Sequence, residues 1–303
     1  NKNELVAAVA DKASLGKGDA AKAVEALFDT ITGELLRTFE GHANGVISVA
    51  FAPDDLTILS GSGDNTARLW DATDGELLHT FGGHTDAVTS VAFAPDGETV
   101  LTGSQDNTAH LWSTTTGERL LTFEGHLDAV TSVAFAPDGL SVLTGSEDGT
   151  ARLWNTTSGD LLSVFEEQSS AIFSVAFAPN SQIVFTGSVS GSAHLWNAST
   201  GEQLHNLTGH LGAVISVAFA PDGEAVLTGS RDNTARLWST VTGESLHTLE
   251  GHTDTITSVA FAPDSQTVLT SSFDNTARLW NPDTGELLRT FKGHTGTIYS
   301  AAF

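Results

Sequence analysis

The sequence predicts an all-β fold, a ring of repeated four-stranded sheets, on three observations. An eleven-residue phrase, TGSQDNTAHLW at 102–112, returns every 42 residues. The tryptophans Trp70, Trp112, Trp154, Trp196, Trp238 and Trp280 keep that spacing without a break and are all the chain has. Within each period, apolar and polar residues alternate in short runs bounded by turn residues, which is the rhythm of strands and not of helices.

Residues 1–33 stand apart from this pattern. Leu5, Val6, Val9 and Ala10, then Ala20, Ala21, Val24, Leu27, Phe28 and Ile31, recur at helical spacing on either side of Gly16 and Gly18. They predict a helical hairpin of about 3–13 and 18–31, with Asn3 as a cap and Gly33 as a stop. NKNELVAAVADKASLGKGDAAKAVEALFDTIT resembles the N-terminal helical hairpin of the HU/IHF histone-like proteins. The resemblance implies helix packing against a partner, and so self-association. It does not carry DNA binding, because the basic β-arms with which that family grips DNA are absent here. A hairpin docked on its own ring, or a fusion segment, is the alternative.

From Glu34 the period becomes alternating. In the unit at 84–123 the runs VTSVAF, TVLTGS, TAHLW and RLLTF read as four strands, separated by the turn clusters PDG, QDN and TTTG. Four strands in a repeat of about 40–45 residues, with a Gly-His pair and a Trp, make one blade of a propeller. In the innermost strand, Val91 and Phe93 and their equivalents are expected to face neighbouring sheets.

With those residues in place, 34–303 resembles the WD-repeat β-propellers. The Gly-His pair stands at 41–42, 83–84, 125–126, 209–210, 251–252 and 293–294, and Trp-Asp itself survives only at Trp70-Asp71. Six units run complete, at about 46–81, 88–123, 130–165, 172–207, 214–249 and 256–291. ELLRTF at 34–39 reads as the outermost strand of a seventh blade and IYSAAF at 298–303 as its innermost strand. The sequence therefore predicts a seven-bladed ring with an incomplete seventh blade, the chain continuing past Phe303; a six-bladed ring with strands left over is the alternative.

Each unit repeats a His, a hydroxyl, an Asp and a Trp in fixed order: His42, Ser60, Asp64, Trp70; His84, Thr102, Asp106, Trp112; His126, Thr144, Asp148, Trp154; His210, Thr228, Asp232, Trp238; and His252, Thr270, Asp274, Trp280. These types suggest a catalytic triad. Five copies argue instead for a structural role, and the family resemblance implies a buried hydrogen-bond network that ties each blade together. In the fourth unit Gln168 replaces the His and Ser190 the Asp, so that blade is expected to be the least locked.

Where the units differ is more informative. By the resemblance, the residues flanking the first Val of the innermost strand, and the one before the network Asp, point to the face that binds partners. Units two and three place Ala87, Thr89, Gln105, Ala129, Thr131 and Glu147 there. The remaining units place Ile47, Phe173, Val189, Ile215, Arg231, Phe273 and Tyr299, an arc of the kind that serves as an interaction hot spot.

Charge and composition bound the rest. The 303 residues carry a net charge of −24, and of the 37 acidic and 13 basic residues only five and four fall in 1–33. Such a surface repels phosphate and suits a basic protein or peptide, so nucleic acid is not an expected partner. There is no cysteine. One histidine per blade leaves no metal cluster, and neither a phosphate loop nor any other cofactor motif is found. No apolar run is long enough for a membrane span or a signal peptide, which predicts a soluble, cytoplasmic protein. The function expected is a non-enzymatic interaction scaffold. Self-assembly through the hairpin and the incomplete blade is the alternative, ahead of an architectural DNA protein or a propeller hydrolase.

Overall fold

The computed structural model describes residues 38–166 and 170–303, so the helical hairpin expected at 1–33 and the substituted Gln168 lie outside the described residues. The strands form six antiparallel sheets of four. Blade 1 comprises β1 (Val46–Phe51), β2 (Thr57–Ser62), β3 (Thr66–Asp71) and β4 (Leu77–Gly82). Blades 2 to 6 repeat this order at 88–123, 130–166, 172–207, 214–249 and 256–291. No helix occurs among the described residues.

Turn chemistry explains the punctuation. The turn between second and third strands needs one left-handed residue, supplied by Asn65, Asn107, Asn233 and Asn275 with φ between 64° and 71°. Gly149 and Gly191 stand there in blades 3 and 4. Asn and Gly reach this region at little steric cost, which is why the units read DNT, DGT or SGS.

The core lies between blades. Leu101, Ala109, Leu111 and Phe123 of blade 2 meet Val130, Val133, Val142 and Trp154 of blade 3. The same assembly recurs at the other junctions. Burying each large side chain contributes about 1.5–3 kcal/mol, and because every cluster needs two sheets, neighbouring blades stabilise one another.

Two devices hold the innermost strands together. The backbone N–H of Val91 donates to Ser48 Oγ at 3.2 Å, and Val133, Val175, Val217 and Val259 repeat this bond to the serine of the preceding blade. Thr89 Oγ1 donates to Val130 O, and Thr131 Oγ1 to Ile172 O, each at 2.6 Å. Thr89 and Thr131 are thus bonds between blades rather than plain surface residues.

The seventh position is partly filled. Residues 298–303 follow the path of a seventh innermost strand: Thr257 Oγ1 donates to Ile298 O at 2.6 Å, as Thr89 does to Val130. Ile298, Ala301 and Phe303 pack against Leu269, Ala277 and Leu279 of blade 6. The segment is not a strand, contrary to expectation, since no neighbouring strand among the described residues supplies a ladder. At the other side, Phe39 meets Trp70 edge-on at 5.8 Å, in the place that Phe81 takes beside Trp112. Between these pieces one face of β1 is uncovered: Val49 is 62% exposed, whereas Val91, Val133, Val175, Val217 and Val259 lie between 5% and 8%.

Candidate interaction surface

The repeated polar residues come together in each of five blades. In blade 2, Trp112 Nε1 donates to Thr102 Oγ1 at 2.9 Å, Thr102 Oγ1 meets His84 Nε2 at 2.8 Å, and His84 Nδ1 meets Asp106 Oδ2 at 2.9 Å. His42–Ser60–Asp64–Trp70, His126–Thr144–Asp148–Trp154, His210–Thr228–Asp232–Trp238 and His252–Thr270–Asp274–Trp280 repeat the chain with every distance between 2.7 and 3.0 Å. With the carboxylate ionised, Nδ1–H donates to Asp, the hydroxyl donates to Nε2, and the indole N–H donates to the hydroxyl.

The order of hydroxyl, imidazole and carboxylate is that of a hydrolytic triad. Here, however, the hydroxyls of Thr102, Thr144, Thr228 and Thr270 belong to residues that are 0% exposed, and each already accepts from an indole. No substrate carbonyl could approach them. Burial disfavours the ionised carboxylate of Asp106, yet hydrogen bonds from the Thr108 hydroxyl, the Thr85 N–H and His84 outweigh it and hold the group at about 2. Asp148 and Asp274 are held at about 2 in the same way, and Asp64 and Asp232 are lowered as well. Burial pushes His84, His126 and His252 down against the opposing pull of their aspartates, which keeps the imidazoles neutral.

Blade 4 is built differently. Trp196 Nε1 still donates to Thr186 Oγ1 at 3.0 Å. In place of the carboxylate, Ser190 Oγ bonds Ser188 Oγ at 2.9 Å and Ser192 Oγ at 2.6 Å. A chain of neutral hydroxyls replaces the ionised hub.

The residues of the arc share one rim. The N–H of Arg231 donates to Ala213 O at 2.9 Å, and Val189, Phe273, Gln105 and Glu147 make the equivalent bond. This pins the turn after each second strand beside the start of the innermost strand. Two contacts cross blades there. The Arg231 guanidinium lies over the Phe173 ring, 5.5 Å from its centroid, and Phe273 meets Tyr299 edge-on at 5.6 Å. Tyr299 is 73% exposed, Val189, Phe273 and Ile47 are exposed too, and Phe173 and Ile215 are half-buried. Ile47 sits on the uncovered β1.

Two residues of the same rim escaped the reading of the repeats. Leu127 and Leu211, directly after the network histidines of blades 3 and 5, are 84% and 95% exposed. The signal was present: other units carry Ala43, Thr85, Thr253 or Thr295 at that position. No group of three or more His, Asp or Glu suited to a metal ion occurs among the described residues, and no helix there is long and apolar enough to cross a membrane.

Comparison with known proteins agrees with this architecture. The family described as WD domain, G-beta repeat, matches residues 33–71, 201–239 and 243–281, and that described as IFT122 first beta-propeller matches 67–214. A short stretch is similar to bacterial proteins of another kind. It is 74% identical over 35 residues to DNA-binding protein HRm of Rhizobium meliloti (strain 1021), covering 12% of this chain and 39% of that relative. Over 35 residues it is 66% identical to DNA-binding protein HRL18 of Rhizobium leguminosarum, covering 12% and 38%. The chain thus spans about two fifths of the length of these relatives. Propeller families of the kind matched over 33–281 are generally non-enzymatic scaffolds that bind proteins, and with six such blades this chain belongs to the WD-repeat β-propeller family.

Proposed function

We propose that the protein is a non-enzymatic scaffold that presents the arc of Ile47, Phe173, Val189, Ile215, Arg231, Phe273 and Tyr299 to a protein or peptide partner. The observation that carries this reading is the pairing of Arg231 with Phe173 across two blades on an exposed rim. A guanidinium stacked on a ring, with a second aromatic pair on the same face, supplies the Arg and aromatic anchors on which interfaces concentrate their energy. Leu127 and Leu211 extend the apolar surface. The net charge of −24 favours a basic partner, which electrostatic attraction would bring in quickly. Hydrogen exchange on the complex tests the assignment: slowed exchange at 171–173, 189–191 and 230–232 supports it, and protection confined to the opposite face rejects it.

Self-association is a second reading, favoured by the likeness to DNA-binding proteins HRm and HRL18 and by the resemblance of 1–33 to a dimerising hairpin. A hairpin of that kind would link two copies. Mass in solution, with and without residues 1–33, decides it: a monomer in both cases would remove this reading.

A further inference from the structure

The outermost strand of each of blades 1 to 5 passes the last turn of the next blade, on the face opposite the Gly-His loops, and leaves a junction to be filled. One position of the outermost strand, repeating every 42 residues as His79, Leu121, Ser163, His205 and His247, determines what fills it. His205 Nε2 bonds Val241 O of the next blade at 3.1 Å, and His247 Nε2 bonds Asp283 O at 2.9 Å. Both rings press on the turn glycine: a Cβ built on Gly243 or Gly285 would come within 2.8 or 3.1 Å of them, and one on Gly117 within 2.8 Å of His79. In three junctions, then, an imidazole fills the space beside the turn glycine.

The other two lack that ring. A Cβ built on Gly159 would meet Leu121 only in ordinary contact, at 3.5 Å, and a cavity of about 320 Å³ remains beside it. Beside Ser163 the turn is open: a Cβ on Gly201 would have no atom within 4 Å, and the cavity there is about 610 Å³. Leu153 and Leu162 give this cavity apolar walls, and Ser163, Gln182, Asn197 and Ser199 give it hydroxyls and amides. No ionisable side chain lines it. Its size and mixture of apolar wall and few polar groups fit a small ring, and a charged group would lose hydration without gaining a counter-charge.

We propose that the groove between blades 3 and 4 binds a neutral imidazole-type ring, seated as His205 and His247 are in their own grooves and donating its N–H to Ser199 O. Ser199 holds the position of Val241 one period later and of Asp283 two periods later. The site is distinct from the arc, which lies on the opposite face.

The test uses the full chain at about pH 8, where the free ring is mostly neutral. Amide resonances of Ser163, Gln182, Ser199 and Gly201 are followed during titration with 4-methylimidazole and, separately, with N-acetylhistidine methylamide. Saturable shifts at Ser199 and Gly201 are expected, with affinity at least tenfold weaker in Ser163→His, whose own ring fills the groove. Ser163→Phe, whose ring also fills the groove, should weaken binding too and guards against misfolding of the first variant. Binding of both probes assigns the ring to a partner's histidine, and binding of 4-methylimidazole alone assigns it to a free small molecule. Absence of saturable shifts in the wild type, or equal affinity in a folded Ser163→His, would overturn the proposal.

Discussion

The indole nitrogen of Trp112 and the hydroxyl of Thr102 lie 2.9 Å apart, both buried, and this bond joins the third strand of blade 2 to its second. Thr102 is the hub, since the same oxygen also serves His84. Thr102→Val keeps the shape and strands two polar partners, so it should destabilise the protein by about 1–3 kcal/mol, read as a lower urea midpoint. Thr102→Ser should be close to neutral, because Ser60 fills this role in blade 1. If the two variants had equal midpoints, the hydroxyl would not be the fastening.

Steric fit between blades leads to a second prediction. A Cβ on Gly103 would fall 2.6 Å from Val133 Cγ1 and 2.7 Å from Val130 Cγ1. Gly103→Ala should therefore cost about 1–3 kcal/mol by overpacking, and pairing it with Val133→Ala should cost less than the sum of the two changes. Additive losses in denaturation would show that the two residues do not touch.

Acid should act through blade 2. His110 stacks on His84 with ring centroids 3.9 Å apart and planes 7° from parallel, and its Nδ1 is buried without a partner. Burial first, then the His84 and Arg119 charges, push His110 down to about 3, with Asp106 pulling the other way. The unfolded chain takes up this proton near pH 6.5 and the folded chain only near 3, so the stabilisation is complete above about 6.5 and is lost as pH falls between those values. Urea midpoints at pH 7.5 and pH 5 should differ more for the wild type than for His110→Gln. Parallel pH dependence in both would contradict it.

The strands, and the repeated His, hydroxyl, Asp and Trp that meet in five blades, were legible because each unit states them again: TVLTGS at 99–104 and RLLTF at 119–123 are strands as read. What escaped runs between units. The bond from Val91 to Ser48, the bond from Thr89 to Val130 and the plugging of a groove by His205 all join one repeat to the next. A pattern that compares a unit with its copies shows which residues recur and not which neighbour they reach. For the same reason Ser163 stands out only once the cavity beside it sets it against His205 and His247. The expected strand at 298–303 failed because alternation records the face a residue presents, whereas a ladder also needs a partner strand.

The central claim, that the arc binds a partner protein, is tested most directly by affinity. A partner recovered with the intact chain is titrated against the wild type, against Phe173→Ala/Arg231→Ala/Tyr299→Ala, and against Leu56→Ser, exposed on the opposite face, as a control. Loss of an anchor cluster should weaken binding at least tenfold in the triple variant, about 1.4 kcal/mol or more, and leave the control unchanged. An unchanged affinity in a folded triple variant would contradict the account.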